Sequence, residues 1–159
     1  MEIPHIPVLF DEVIECFDDL EDGFIIDCTL GYGGHSKGIL EHNPNIQLIA
    51  NDQDDTALNF SAQRLKEYSS RIEFNKGNFE HVIEKFSTYP IRGILADIGV
   101  SSLQLDEQTR GFGFNSDVLD MRMDQDSDLS ARDVVNNYSQ VDLEKILKEY
   151  GEVKEYKKV

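Results

Sequence analysis

The chain has 159 residues, 15 of them Lys or Arg against 31 Asp or Glu, for a formal net charge of −16. That length lets one domain bury roughly 68–70% of the surface its unfolded chain would expose, and the 40% hydrophobic content supplies a core. Two cysteines, Cys16 and Cys28, exclude a disulfide framework and a four-ligand zinc site built on thiolates.

So negative a chain repels phosphate backbones at long range, which excludes tight, unaided, nonspecific nucleic-acid binding. No stretch approaches the roughly 18 consecutive apolar residues of a membrane span, and the first residues, Met1 to Pro7, lack a basic n-region. A cytoplasmic, unsecreted protein is expected.

In chain order, residues 8–17 are amphipathic. Phe24, Ile25 and Ile26 then read as a strand running into Asp27 and the glycine cluster Gly31, Gly33 and Gly34. A helix over residues 34–41 is stopped by Asn43 and Pro44, and residues 46–51 read as a second buried strand ending at Asp52. Asp54 or Asp55 can cap a helix carrying Ala57, Leu58, Ala62 and Leu65. Ile72 to Phe74 is a third short strand, Asn78 can cap a helix over 79–86, and a fourth strand covers 93–98. Parallel neighbours need a crossover, normally helical, so this alternation predicts a mostly parallel α/β sheet covered on both faces.

From residue 99 to 129 no period is visible, and the stretch is too long for an ordinary connection; such a loop is functional or disordered. Ser130 and Asp133 then form a capping-box pattern that opens a short helix. Ser139 can cap another, with Leu143, Ile146, Leu147 and Tyr150 on one stripe before Gly151. The last nine residues are charged and expected to fray.

Ligands of open parallel sheets bind at the carboxyl ends of the strands. Four groups fall there: the glycine turn, Asp52, the Asn78-Phe79 pair, and Asp97. The glycines fit neither the dinucleotide pattern, which needs glycine where Ser36 stands, nor the P-loop, so a nucleoside ligand is favoured over a dinucleotide. Asp52 falls where a ribose-binding acid is expected, although a helix-capping acid reads the same way. Phe79 is either the first core residue of its helix or the cover of a nucleobase. Asp97, ending an apolar strand, is expected to be buried and to need a partner or a ligand. His35 sits in the ligand-facing turn. The four histidines show no metal-ligand spacing, so no metal is expected.

The stretches His5 to Leu9, Asp27 to Ser36, Asp52 to Asp54, Asp97 to Asp106, Arg110 to Phe112 and Leu119 to Asp124 resemble the RsmH (MraW) family. Its members are S-adenosylmethionine-dependent methyltransferases of a cytidine N4 in 16S ribosomal RNA. The resemblance implies a class I methyltransferase (Rossmann-like) fold, with residues 1–105 the N-terminal part of the catalytic domain. Residues 106–159 would be the active-site loop and the start of an inserted helical substrate-recognition domain. It implies that Gly33, Gly34 and His35 hold S-adenosylmethionine from the first turn, Asp52 its ribose and Phe79 its adenosine portion. Asp97 and Gln104 would complete the pocket, with Asp97 also the candidate catalytic acceptor. The substrate implied is 16S rRNA of the small ribosomal subunit.

Members of that family are about twice as long, so the expected sheet is incomplete beside its fourth strand. A second copy could complete it by strand exchange, giving a homodimer. The rival readings are a noncatalytic nucleoside-binding or interaction module, and a nicotinamide-linked enzyme that the glycine spacing disfavours.

Overall fold

A computed structural model describes residues 7–158, apart from the side chains of residues 102 and 103. The chain divides into two compact units, Met1–Asp106 and Glu107–Val159. His5 and Ile6 of the first motif lie outside the described residues.

The first unit is built on four parallel strands: β1 (Gly23–Asp27), β2 (Ile46–Asp52), β3 (Ile72–Lys76) and β4 (Ile91–Leu95), in the order β3-β2-β1-β4. Helices α1 (Phe10–Asp18), α2 (Gly34–His42), α3 (Asp55–Arg64) and α4 (Phe79–Lys85) alternate with them as the sequence pattern predicts. Side chains alternate across a strand, and the core divides accordingly. Ile25 and Leu48 pack with Ile14 of α1 and Ile39 and Leu40 of α2, while Ile26 and Ile49 pack with Val82 of α4 and Phe86. Both faces of β1 and β2 are therefore covered, which explains why these two strands read as uninterrupted apolar runs.

The β2 register places Asp27 beside Ala50 and Asp52 beside Lys76, so the carboxyl ends of the strands share one rim. Asp54, not Asp55, caps α3, accepting from the Thr56 N–H at 2.9 Å; Asn78 caps α4 by accepting from Glu80 N–H at 2.9 Å.

The fourth strand departs from expectation. It spans Ile91–Leu95, not residues 93–98, and is an edge. With no neighbour on its outer side among the described residues, Ile94 and Ile98 are exposed, and so is Asp97, which lies beyond the strand. The expectation of a buried strand-end carboxylate at Asp97 is corrected, because burial there needs a strand or helix on the far side of β4. A short helix, α5 (Ser102–Asp106), closes the unit.

The second unit begins with a 3₁₀ turn, Gln108–Arg110, and ends in helices α6 (Ala131–Asn137) and α7 (Gln140–Glu149). The aperiodic stretch between them is an ordered loop organised by arginines. Arg110, 3% exposed, donates from Nη2 to the carbonyls of Arg122 and Met123 at 2.9 and 3.0 Å. Arg122 grips Asp120 with two hydrogen bonds of 3.0 and 2.8 Å and donates to the Gln125 and Ser127 carbonyls. Periodicity cannot register such a loop, since side chains on carbonyls replace a backbone repeat. Ser130 and Asp133 form the expected capping box, and Ser139 caps α7. Tyr150 is exposed rather than on the half-buried stripe of Leu143, Ile146 and Leu147, and a 3₁₀ turn, Tyr156–Lys158, stands where fraying was expected.

Candidate functional site

Every strand of the first unit ends at the same rim, and the rim is knitted together by the residues that end them. Asp27 closes β1 fully buried. Its Oδ2 accepts from the Ser36 hydroxyl at 2.7 Å and its Oδ1 from the Thr29 N–H at 3.1 Å, tying the first turn of α2 back to the strand. Burial pushes its carboxyl from 3.8 up to about 6, against those two hydrogen bonds, and the neighbouring Asp52 and Asp97 add to the rise.

Between β1 and α2 the chain makes its glycine turn. Gly31 and Gly33 take φ values of 49° and 70°, the left-handed region that a Cβ disfavours. Gly34 serves a different purpose: a Cβ there would stand 2.4 Å from Cγ of Pro7, so its missing side chain is explained by packing rather than by ligand approach. Gly33 gives α2 no side-chain cap, so the first N–H groups of that helix, at Gly34, His35 and Ser36, have no intrahelical acceptor. His35 is 8% exposed, its ring stacked on Phe10 with centroids 6.2 Å apart, and its Nδ1 is buried with no hydrogen-bond partner among the described residues. Burial holds its pKa below the ordinary 6.5, against the pull of Asp97.

Asp52 ends β2 with its carboxylate braced. Oδ2 accepts from Gly31 N–H at 2.8 Å and Oδ1 from Asp54 N–H at 3.0 Å, the Gln53 N–H is a third backbone donor, and a carboxylate with about four acceptor sites keeps capacity beyond these. Burial pushes its carboxyl up as well. Phe79 opens α4 at 39% exposure, so it is not the first core residue of that helix. Gln104 is buried; its Nε2 lies 3.4 Å from Oδ2 of Asp54 and its Oε1 accepts from Ser101 N–H. Asp97 is attached to the same rim through its N–H, which donates to the Thr29 hydroxyl at 2.7 Å.

Two rim residues, Asp27 and Asn51, escape sequence reasoning as site residues, and a third, Asp54, reads only as a cap. Asp27 and Asp54 are buried carboxylates, and Asn51 is a buried amide. The first had a visible signal: a carboxylate ending an apolar strand before a glycine turn, the same argument that was applied to Asp97. Asn51 had none, because its side-chain partners lie far along the chain, and Asp54 showed only its role as a cap, its contact with Gln104 being equally distant.

A nucleoside-bearing cation fits this donor set. The orphaned Nδ1 of His35, the unmatched N–H groups of α2 and the braced Asp52 carboxylate offer both donors and acceptors, and Asp27, Asp52 and Asp97 concentrate negative charge. A model of the MraW methylase family matches residues 2–159. The chain belongs to the MraW methylase family. It is 64% identical over 159 residues to Ribosomal RNA small subunit methyltransferase H of Aliarcobacter butzleri (strain RM4018), covering all of this chain and 53% of that protein. It is 56% identical over 153 residues to the protein of the same name from Campylobacter lari (strain RM2100 / D67 / ATCC BAA-1060), covering 96% of this chain and 50% of that one. Among solved structures, an rRNA methylase from Streptococcus thermophilus is similar at a TM-score of 0.47 and 22% identity, over 62% of this chain and 57% of that chain. This member of the MraW methylase family spans about half the length of the curated relatives it matches. Among the described residues no helix is long and apolar enough to cross a membrane.

Proposed function

We propose that residues 1–105 form the cofactor-binding part of an S-adenosylmethionine-dependent methyltransferase acting on N4 of a cytidine in 16S rRNA of the small ribosomal subunit, in the cytoplasm. In the same reading, residues 106–159 are its active-site loop and the start of a helical substrate-recognition insertion. The observation that carries this reading is the braced Asp52 carboxylate facing an uncapped glycine turn at one strand-end rim. The names of the relatives support the ribosomal substrate.

S-adenosylmethionine supplies a methyl group on a positively charged sulfonium. Asp52 would take ribose hydroxyls on the acceptor capacity that its backbone donors leave, a role suited to a carboxylate. Phe79 covers the adenine face. The α2 N–H groups at Gly34 and His35 receive the carboxylate of the methionyl portion, as helix N-termini receive anions, and Gly33 lets the backbone turn there. Gln104 closes the pocket from α5. The exocyclic amine of cytosine is a poor nucleophile because its lone pair is delocalised into the ring, and drawing off an N–H proton restores it. Asp97, exposed at the rim, is the acceptor of that proton. The target base reaches it only when splayed out of its stack.

Isothermal calorimetry with S-adenosylmethionine and with NAD tests the ligand: uptake of the first and not the second is expected, and the reverse would overturn the reading. Transfer of labelled methyl to small ribosomal subunits tests the reaction. Binding without transfer supports a second reading, a noncatalytic nucleoside-binding module, which the net charge of −16 favours because it opposes RNA.

A further inference from the structure

Beneath Asp52 runs a chain of polar side chains that the proposed function does not use. Asn51, 1% exposed, donates from Nδ2 to the Cys28 carbonyl at 3.1 Å and to the Gly77 carbonyl at 3.0 Å. Its Oδ1 accepts from Nδ2 of Asn75 at 2.6 Å, and Oδ1 of Asn75, itself 7% exposed, accepts from the Lys85 ammonium at the last residue of α4. The polarity of this chain is dictated from both ends. An ammonium only donates, so Asn75 must turn its oxygen to Lys85 and its NH₂ to Asn51. The carbonyls of Cys28 and Gly77 only accept, so Asn51 must turn its NH₂ to them and its oxygen to Asn75. The two requirements agree, and each amide bond is strengthened by the charge at the head of the chain.

The two carbonyls at its far end belong to the loops that carry the nucleoside site. Cys28 leads into the glycine turn; Gly77 precedes Asn78 and Phe79. The backbone of the same dipeptide holds the same loops: the Asn51 carbonyl accepts from Leu30 N–H, and the Asp52 carbonyl from Gly77 N–H, both at 3.0 Å.

We propose that Lys85 is a positioning residue for the nucleoside half of the site. Acting through Asn75 and Asn51, its charge locks the amide orientation that fixes the loops after β1 and β3 on either side of Asp52. The proposal rests on the cofactor reading above.

The test is made on the intact protein. Lys85→Met removes the ammonium and keeps the stem; it raises Kd for both adenosine and S-adenosylmethionine about tenfold, the size of one charged hydrogen bond. Lys85→Arg, which keeps a cation at the helix end and over the Phe86 ring, restores affinity to within about twofold. Asn75→Asp turns a carboxylate oxygen toward Oδ1 of Asn51 and weakens binding at least as much as Lys85→Met. A readout of orientation accompanies these: the Asn51 side-chain NH₂ protons exchange slowly with solvent in the parent protein and in Lys85→Arg, and fast in Lys85→Met, while β1 and β2 amides stay protected. Parent-like affinity and slow Asn51 exchange in Lys85→Met would overturn the relay alone, as would a loss that Lys85→Arg fails to recover. Failure of the parent protein to take up S-adenosylmethionine would overturn the cofactor reading and the relay with it.

Discussion

Asp27 and Asp52, at the rim of the sheet, have carboxyls pushed up by burial, whereas in the second unit Asp120 and Asp133 are held below the ordinary carboxylate range. Asp120 is held chiefly by hydrogen bonds from the Arg122 side chain, and Asp133 chiefly by the Ser130 hydroxyl. The residue type is the same, and the surroundings reverse its behaviour. In the loop of the second unit each of these acids has a cation or a cap and is spent on structure. At the rim Asp27 and Asp52 meet only hydrogen-bond donors without charge, so their negative charge is left for a cationic ligand. Perturbation without a counter-charge is the pattern expected of a binding site.

The contrast can be broken at several points. The largest effect is expected from Arg110→Met, which strips the carbonyls of Arg122 and Met123 of their charged donor and costs about 4 kcal/mol of local stability. Limited proteolysis checks it, with new cleavage within residues 107–130 while the sheet stays intact. Undiminished resistance would show that the loop does not depend on this cation.

Next is Asp27. The folded protein holds the Asp27 proton up to about pH 6, the unfolded chain only to 3.8, so between those values the folded state binds the extra proton and stability falls as pH rises. The total is about 3 kcal/mol. Asp27→Asn removes that slope, and denaturant unfolding at about pH 4 and about pH 7 should show the parent losing stability relative to the variant. Asp120 and Asp133 have the opposite sign: their contribution is present above the ordinary value of 3.8 and is lost as pH falls through their lowered folded-state values. A titration that moves all four acids the same way would erase the distinction.

Asp52→Asn should weaken S-adenosylmethionine binding about tenfold, about 1.4 kcal/mol, because the amide keeps one acceptor of two; calorimetry reads it directly. The smallest effect is on the exposed Asp97. Asp97→Asn should change unfolding free energy by less than about 0.5 kcal/mol, while on the proposed reading methyl transfer falls with S-adenosylmethionine affinity nearly unchanged.

Much of this molecule was legible without coordinates. The apolar runs of β1 and β2, the caps at Asn78, Ser130 and Ser139, and the clustering of Asp52, Phe79 and the glycine turn at strand ends all follow from local periodicity and from where strands must end. Asp97 was misjudged because an apolar strand looks the same at an edge as at the centre of a sheet. The packing reason for Gly34 was not legible, because a sequence does not say that Pro7 fills the space where a side chain would stand. The 107–130 loop looked structureless because arginine on carbonyl has no period.

The sequence by itself determined the order and kind of the elements and the residue types gathered at one rim, since those depend on interactions between near neighbours along the chain. Only the tertiary structure decided which acids are buried and which stand in solvent, and that a lysine on α4 reaches β2 through two asparagines. Burial and hydrogen bonding across 20 or more residues depend on which segments become neighbours in space, and a linear pattern of residues does not carry that information.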